Sequence, residues 1–179
     1  LARVLGVPRA VDGWLGTYAS GVAARAQQAQ ADGLAPEALP ELHPRYGVGT
    51  TEYMRTQGGW ALTLECGAHT DPQSPEVAWR AIHRTLAHLG LTDEAPPQPV
   101  AGIELLSLHA VVDKQHADDR FVRDWQSFDA VRAGDLIGHR ASGAPVHAPG
   151  DGWLVFPNAR AAARQEWFYF ARASQRFAA

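Results

Sequence analysis

The sequence of 179 residues has one cysteine, one lysine and no long apolar run. Because Cys66 is the only cysteine, neither an intrachain disulfide nor a cysteine-rich zinc site can form. No apolar stretch approaches the roughly 18 residues needed to cross a bilayer. No basic segment followed by an apolar one has the pattern of a secretory leader. These absences favour a cytoplasmic protein with no membrane partner.

The balance of charge excludes another class of partner. The net charge is −3 at pH 7, and no run of arginine or lysine forms a basic patch of the kind that binds nucleic acid. Lys114 is the only lysine, so nearly all the positive charge is arginine. We therefore expect no nucleic-acid partner, whereas a homo-oligomer stays open.

The first residues have the pattern of a helix end. Leu1 to Leu5 is typical of a last helical turn, with Gly6 to close it and Pro8 beyond, and no initiator methionine precedes them. A chain that starts inside a helix is expected to be a piece of a longer protein.

The first half alternates predicted helices with one predicted strand. Helices are expected at residues 15–31, 52–57 and 74–89, the second capped by Thr50 or Thr51, with a Pro- and Gly-rich loop over 34–49. The apolar run at 60–66 predicts a strand, and its helical neighbours favour a buried, mostly parallel sheet.

The second half has a different pattern. The segment TDEAPPQP at Thr92–Pro99 reads as a stiff linker, and the short β-type runs beyond it are separated by glycine turns. We therefore predict an α/β domain over 1–95, part of a mostly parallel mixed sheet with helices. A small all-β, barrel-like domain follows over 96–179.

Glu65 ends the predicted strand in WALTLECGAH. On a strand, Leu62, Leu64 and Cys66 share one face and Glu65 lies on the other. Open α/β sheets build their sites at the carboxyl ends of parallel strands. Partial burial there would suit this carboxyl group to proton transfer near neutral pH, with Gly67 allowing close approach. A strand-end carboxylate in water, or one paired to arginine, is the alternative.

The segment LTLECGAHTDPQSPEVAWRAIHRTLAHLG resembles the region around the catalytic glutamate of the succinylglutamate desuccinylase/aspartoacylase family, within the zinc carboxypeptidase superfamily. WQSFDAVRAGDLIGH and APVHAPGDGWLVFPN resemble turns of the same family's small C-terminal β domain. The likeness covers the chain from about Gly47 onward, in the correct order.

The resemblance implies zinc-dependent hydrolysis of the amide in an N-acyl amino acid or a similar small molecule. Zinc would polarise the carbonyl and acidify its bound water, and Glu65 would move the proton to the leaving amine. Arg55 matches the spacing of a substrate-binding arginine in the family, where a guanidinium suits a carboxylate. A surface arginine on a short helix is the alternative for Arg55.

The zinc ligands of the family are missing from this sequence. The resemblance implies a His-x-x-Glu pair and a later histidine upstream of the matched region, and no His-x-x-Glu occurs here. The nearest local set of possible metal ligands is His109, Asp113 and His116. We expect these three to be ordinary polar residues of the surface. Either the missing N-terminal half of the catalytic domain carries the metal, or the chain is a metal-free relative. The first is favoured, with the fragment alone inactive.

Two other functions are weighed against hydrolysis. The glycine turns also resemble lipoyl and biotinyl carriers, but those need a lysine on a hairpin tip, and Lys114 lies outside that region. A non-catalytic relative that binds a metabolite or a partner is the remaining alternative. Tyr169 is a loose candidate for the substrate-contacting tyrosine of the family's C-terminal domain.

Overall fold

The computed structural model describes residues 1–35, 42 and 48–176, so most of the predicted loop at 34–49 lies outside the described residues. Its helices are α1 (Ala2–Leu5), α2 (Trp14–Ala31), α3 (Thr50–Thr56) and α4 (Ser74–His88). Its strands are β1 (Arg9–Asp12), β2 (Glu104–Asp113), β3 (Arg120–Phe121), β4 (Ala130–Val131), β5 (Leu136–His139), β6 (Pro145–His147), β7 (Gly152–Val155) and β8 (Glu166–Ala173).

The chain forms two compact units. The first unit comprises Leu1–Ala10 and Gly49–Glu104, and the second comprises Val11–Val48 and Leu105–Ala179. The domain limits predicted from the sequence, 1–95 and 96–179, stay a prediction. None of the helices in the described part of the chain is long and apolar enough to cross a membrane.

The helices that carry local signals are confirmed. The predicted helix end at Leu1 to Leu5 is α1, and Gly6 follows it in the left-handed conformation with φ 75°. α4 has Pro75 in its first turn, where a missing N–H costs nothing. α2 has its predicted extent to within one residue.

The predicted cap of α3 is wrong. Gly49, rather than Thr50 or Thr51, is the N-cap residue, and its N–H donates to Oε2 of Glu52 at 3.2 Å. Thr51 instead donates its hydroxyl to the same oxygen at 2.7 Å. This hydrogen bond is the main reason why the pKa of Glu52 lies below its ordinary value.

The predicted strand at 60–66 is not formed. A strand requires a neighbour for its ladder hydrogen bonds, and none of the described residues supplies one to this segment. The expected alternation of faces is nevertheless present over residues 62–66, because Leu62, Leu64 and Cys66 are half-buried whereas Thr63 and Glu65 are exposed. Ala61, expected on the face of Thr63 and Glu65, is half-buried as well.

The strands form two sheets instead of the predicted barrel-like form. One sheet has the order β1-β2-β8-β7-β4 and the other has the order β3-β5-β6, so a closed barrel is not formed by the described residues. The pairs β2–β8, β7–β8 and β4–β7 are antiparallel. The fold is therefore a mixed α and β structure with few helices.

The core of the second unit is built around β8. Trp167, Phe168 and Phe170 are at most 1% exposed. The ring of Trp167 stacks on Phe121, with centroids 4.5 Å apart. On β2, Leu106 and Leu108 pack against Ala171 in a second cluster. Strands that lie inside a sheet and are covered on both faces carry apolar runs of this kind.

Replacing Gly152 with alanine should destabilise the second unit. A Cβ at this position would clash with the carbonyl oxygen of Ala171 and lie 2.8 Å from the ring of Phe170. Overpacking of a rigid core costs about 1–3 kcal/mol. The free energy of unfolding measured with urea should fall by that amount.

Gly16→Ala is the matched control, since nothing lies within 4 Å of the added methyl group. On a helix this change should stabilise the chain by up to about 1 kcal/mol. Equal free energies of unfolding for Gly152→Ala and the unmodified chain would contradict the packing described here.

Candidate functional site

Glu65 lies at the end of the alternating segment in the first unit. Its carboxylate is exposed, so the partial burial predicted for it is not found. None of the described residues forms a hydrogen bond or an ion pair with this carboxylate. Both of its oxygens are therefore available to accept a proton or a hydrogen bond.

A tight turn follows Glu65 and leads into α4. Gly67 has φ 123°, and a Cβ there would lie 2.7 Å from Oγ of Ser74 and 3.2 Å from Oδ2 of Asp71. Ser74 donates its hydroxyl to the carbonyl oxygen of Ala68 at 3.0 Å, and Asp71 accepts from the N–H of Gln73 at 2.9 Å. Close approach to Gly67 was predicted for backbone or substrate. The groups that approach it here are the side chains of Ser74 and Asp71, which belong to the turn itself.

Arg55 lies on α3 and reaches the segment that carries Glu65. Its Nη2 donates to the carbonyl oxygen of Ala61 at 3.0 Å, four positions before Glu65. Its Nη1 lies 3.4 Å from Oε1 of Glu52, and the side chain is 55% exposed. Arg55 and Glu65 thus belong to one unit, and Arg55 contacts the backbone of the glutamate's segment.

The histidine and aspartate candidates for a metal are not brought together. No group of three His, Cys, Asp or Glu side chains suited to a metal occurs among residues 1–35, 42 and 48–176. Asp113 is bound by Arg25 through two hydrogen bonds of 2.7 Å each. His116 is exposed and lies 3.5 Å from Asp118. The described residues therefore do not fit a catalytic zinc.

Arg25 is the centre of an ionic network that no local pattern of the sequence indicates. Besides Asp113 on β2, it binds Oε1 of Glu166 on β8 at 3.0 Å, and so ties α2 to two strands. The hydrogen bond to Asp113 is the main cause that raises the pKa of Arg25 above its ordinary value. Burial, followed by the charge of Glu166, raises the pKa of nearby Tyr169 to about 12. Tyr169 packs edge-on against Trp14, with ring centroids 5.1 Å apart.

A second polar feature lies within the second unit. A cavity of about 770 Å³ is lined by both charged and apolar residues, among them Lys114, which is 5% exposed. The sequence singled out Lys114 only as the sole lysine. Nothing in its neighbours along the chain indicated that its ammonium group is buried.

The structure is similar to several solved structures, two of which are described here. Succinylglutamate desuccinylase from Vibrio parahaemolyticus is 20% identical, with a TM-score of 0.51, over 69% of this chain and 38% of that one. Succinylglutamate desuccinylase/aspartoacylase from Rhodobacter sphaeroides is 17% identical, with a TM-score of 0.52, over 70% of this chain and 43% of that one. No protein-family model and no curated protein matches the sequence.

These likenesses confirm, at the level of the fold, the resemblance inferred from the sequence motifs. The chain spans less than half of the length of either structure, 38% of one and 43% of the other. What they share with this chain is the fold, and the activity of a whole protein is a separate question.

Proposed function

We propose that this chain is part of a hydrolase that cleaves the amide bond of an N-acyl amino acid or a similar small molecule. The observation that carries the proposal is Glu65, which ends an alternating segment with a carboxylate bound by none of the described residues. Support comes from the shared fold, since the names of both similar structures include succinylglutamate desuccinylase.

In the proposed reaction, Glu65 acts as the group that transfers protons. Its carboxylate accepts a proton from the attacking water, and the resulting carboxylic acid donates that proton to the leaving amine. The turn at Gly67 fixes where the segment ends, because its glycine admits Ser74 and Asp71 at close range. Arg55 would bind a carboxylate of the substrate.

Zinc is proposed only for the full-length protein. The described residues supply no ligand set, so the ligands would belong to the missing N-terminal half of the catalytic domain. We expect the 179-residue chain alone to be inactive and to hold no catalytic zinc.

The surface of α4 supports the proposal of an upstream partner segment. Trp79, Ile82 and Leu89 follow one another at helical spacing and are 61%, 55% and 61% exposed. Surface stripes of this kind mark places where another apolar surface binds. We assign this stripe to the upstream half, because the chain spans only 38% and 43% of the similar structures.

Glu65→Gln tests the proton-transfer role. In the protein extended by its upstream region, turnover of N-acetyl and N-succinyl amino acids should fall by about 10²- to 10⁴-fold, since an amide cannot accept the proton. Zinc content should be unchanged, and the 179-residue chain serves as the inactive control. Near-normal turnover would sink the assignment and favour a non-catalytic binding relative.

Arg55→Ala tests the role in substrate binding. The KM for a carboxylate-bearing substrate should rise by about 10-fold or more, because a charge-assisted hydrogen bond is lost. Arg80→Ala, on the exposed surface of α4, is the matched control and should leave KM unchanged. An unchanged KM in Arg55→Ala would leave this arginine with only its structural contacts to Ala61 and Glu52.

Ile82→Asp tests the proposed contact with the upstream half. In the 179-residue chain the exposed site should tolerate the change within about 0.5 kcal/mol, whereas in the extended protein an interfacial charge should cost about 2 kcal/mol or more. Arg80→Asp provides the control on the same helix. Equal changes in the free energy of unfolding of both proteins would rule out the contact.

A further inference from the structure

The cavity of the second unit is formed by the loop after β2, by β3 and by two turns further along the chain. Its volume is about 770 Å³, within the range of small-molecule sites. The charged residues of its lining are Lys114, Asp118, Asp119, Arg120, Arg123 and Asp124.

Lys114 brings a buried positive charge to this cavity. Its backbone N–H donates to the carbonyl oxygen of Gln165 at 2.9 Å, and its own carbonyl accepts from the N–H of Arg164 at 2.6 Å. The backbone is thus fixed, and the side chain is 5% exposed. Nζ donates to the carbonyl oxygen of Ala159 at 3.0 Å.

The ammonium group of Lys114 has more hydrogen-bond donors than the neighbouring described residues have acceptors for them. It carries three N–H donors, and the described residues supply one acceptor, the carbonyl of Ala159. A buried charge is costly unless an opposite charge or further hydrogen bonds compensate it. An anionic ligand in the cavity would provide both.

The buried carboxylate of the cavity does not serve as the counter-ion of Lys114. Oδ2 of Asp119 accepts from Arg140 and from the N–H of Gln115, each at 2.8 Å, and Oδ1 accepts from the N–H of Ala141 at 2.8 Å. Burial raises the pKa of Asp119, but these hydrogen bonds outweigh it and hold that pKa below its ordinary value. Asp119 is therefore ionised, and its charge is already compensated by Arg140 and two backbone N–H groups.

Two further cations, Arg123 and Arg120, line the cavity, and they differ in the contacts that their side chains make. Arg123 lies 3.6 Å above the ring of Trp125 and pairs with Asp129 at 3.1 Å. Arg120 lies on β3, where its backbone pairs with His139, and its side chain is exposed. The acids Asp118 and Asp124 also line the cavity, and water screens their charge as it screens the charge of the exposed Arg120 and Arg123. Lys114 is therefore the buried charge of the described lining that lacks a counter-ion.

We propose that this cavity is a binding site for a small molecule bearing a carboxylate group, with Lys114 as the residue that contacts the carboxylate and Arg120 as a second cation. The site belongs to the second unit alone. It therefore stands or falls independently of the hydrolysis proposed for Glu65.

The experiment uses the 179-residue chain with 15N-labelled lysine, in which Lys114 gives the only lysine side-chain signal. Titration with sodium succinate should shift this signal and saturate, whereas uncharged succinamide should not shift it. Sodium sulfate at matched ionic strength is the third probe. Binding of succinamide or sulfate as strong as that of succinate would overturn the assignment of a carboxylate ligand.

Calorimetry with two variants and a control completes the test. Lys114→Met should weaken succinate binding by roughly 10-fold or more. Arg132→Gln, an exposed arginine outside the cavity, should bind succinate as the unmodified chain does. Arg120→Gln should also bind more weakly, and it keeps the proposal testable if Lys114→Met does not fold. Absence of saturable binding by the unmodified chain would refute the site. Unchanged affinity in Arg120→Gln would also refute it, if Lys114→Met either binds with unchanged affinity or does not fold.

Discussion

The second unit depends on the burial of β8 from both sides. This strand lies between β2 and β7 in the sheet, and its Trp167 also stacks on Phe121 of the smaller sheet. A strand with apolar residues on both faces is stable only when both faces are covered. α2 contacts this sheet through the ring of Trp14 on Tyr169, and the bonds from Arg25 to Asp113 and Glu166 tie it there.

Structure set by neighbouring residues was predictable, whereas structure set by distant ones was not. α4 was identified because its start and end are encoded in adjacent residues: Pro75 lies in its first turn, and Gly90, with φ 67°, follows its last residues. The strand expected at 60–66 failed because a ladder needs a partner from elsewhere in the chain. Its alternation of burial survived, since that depends only on local spacing.

The same contrast holds for the candidate sites. The turn at Gly67 could be anticipated from one short motif, because it is built from residues 67–74, whereas the role of Glu65 stays a prediction. The burial of Lys114 could not, since its acceptor lies 45 positions away at Ala159. Arg25 meets Asp113 and Glu166 across separations of 88 and 141 positions, which no local pattern specifies.

The seclusion of Lys114 also decides how this chain meets amine-directed chemistry. With a single lysine that is 5% exposed, the side chains offer acylating reagents almost no accessible primary amine. Dyes, cross-linkers and activated surfaces that react with amines would therefore attach to the 179-residue chain chiefly through its terminal amino group. Such reagents should give products of nearly uniform orientation, in contrast to the mixtures formed by lysine-rich proteins.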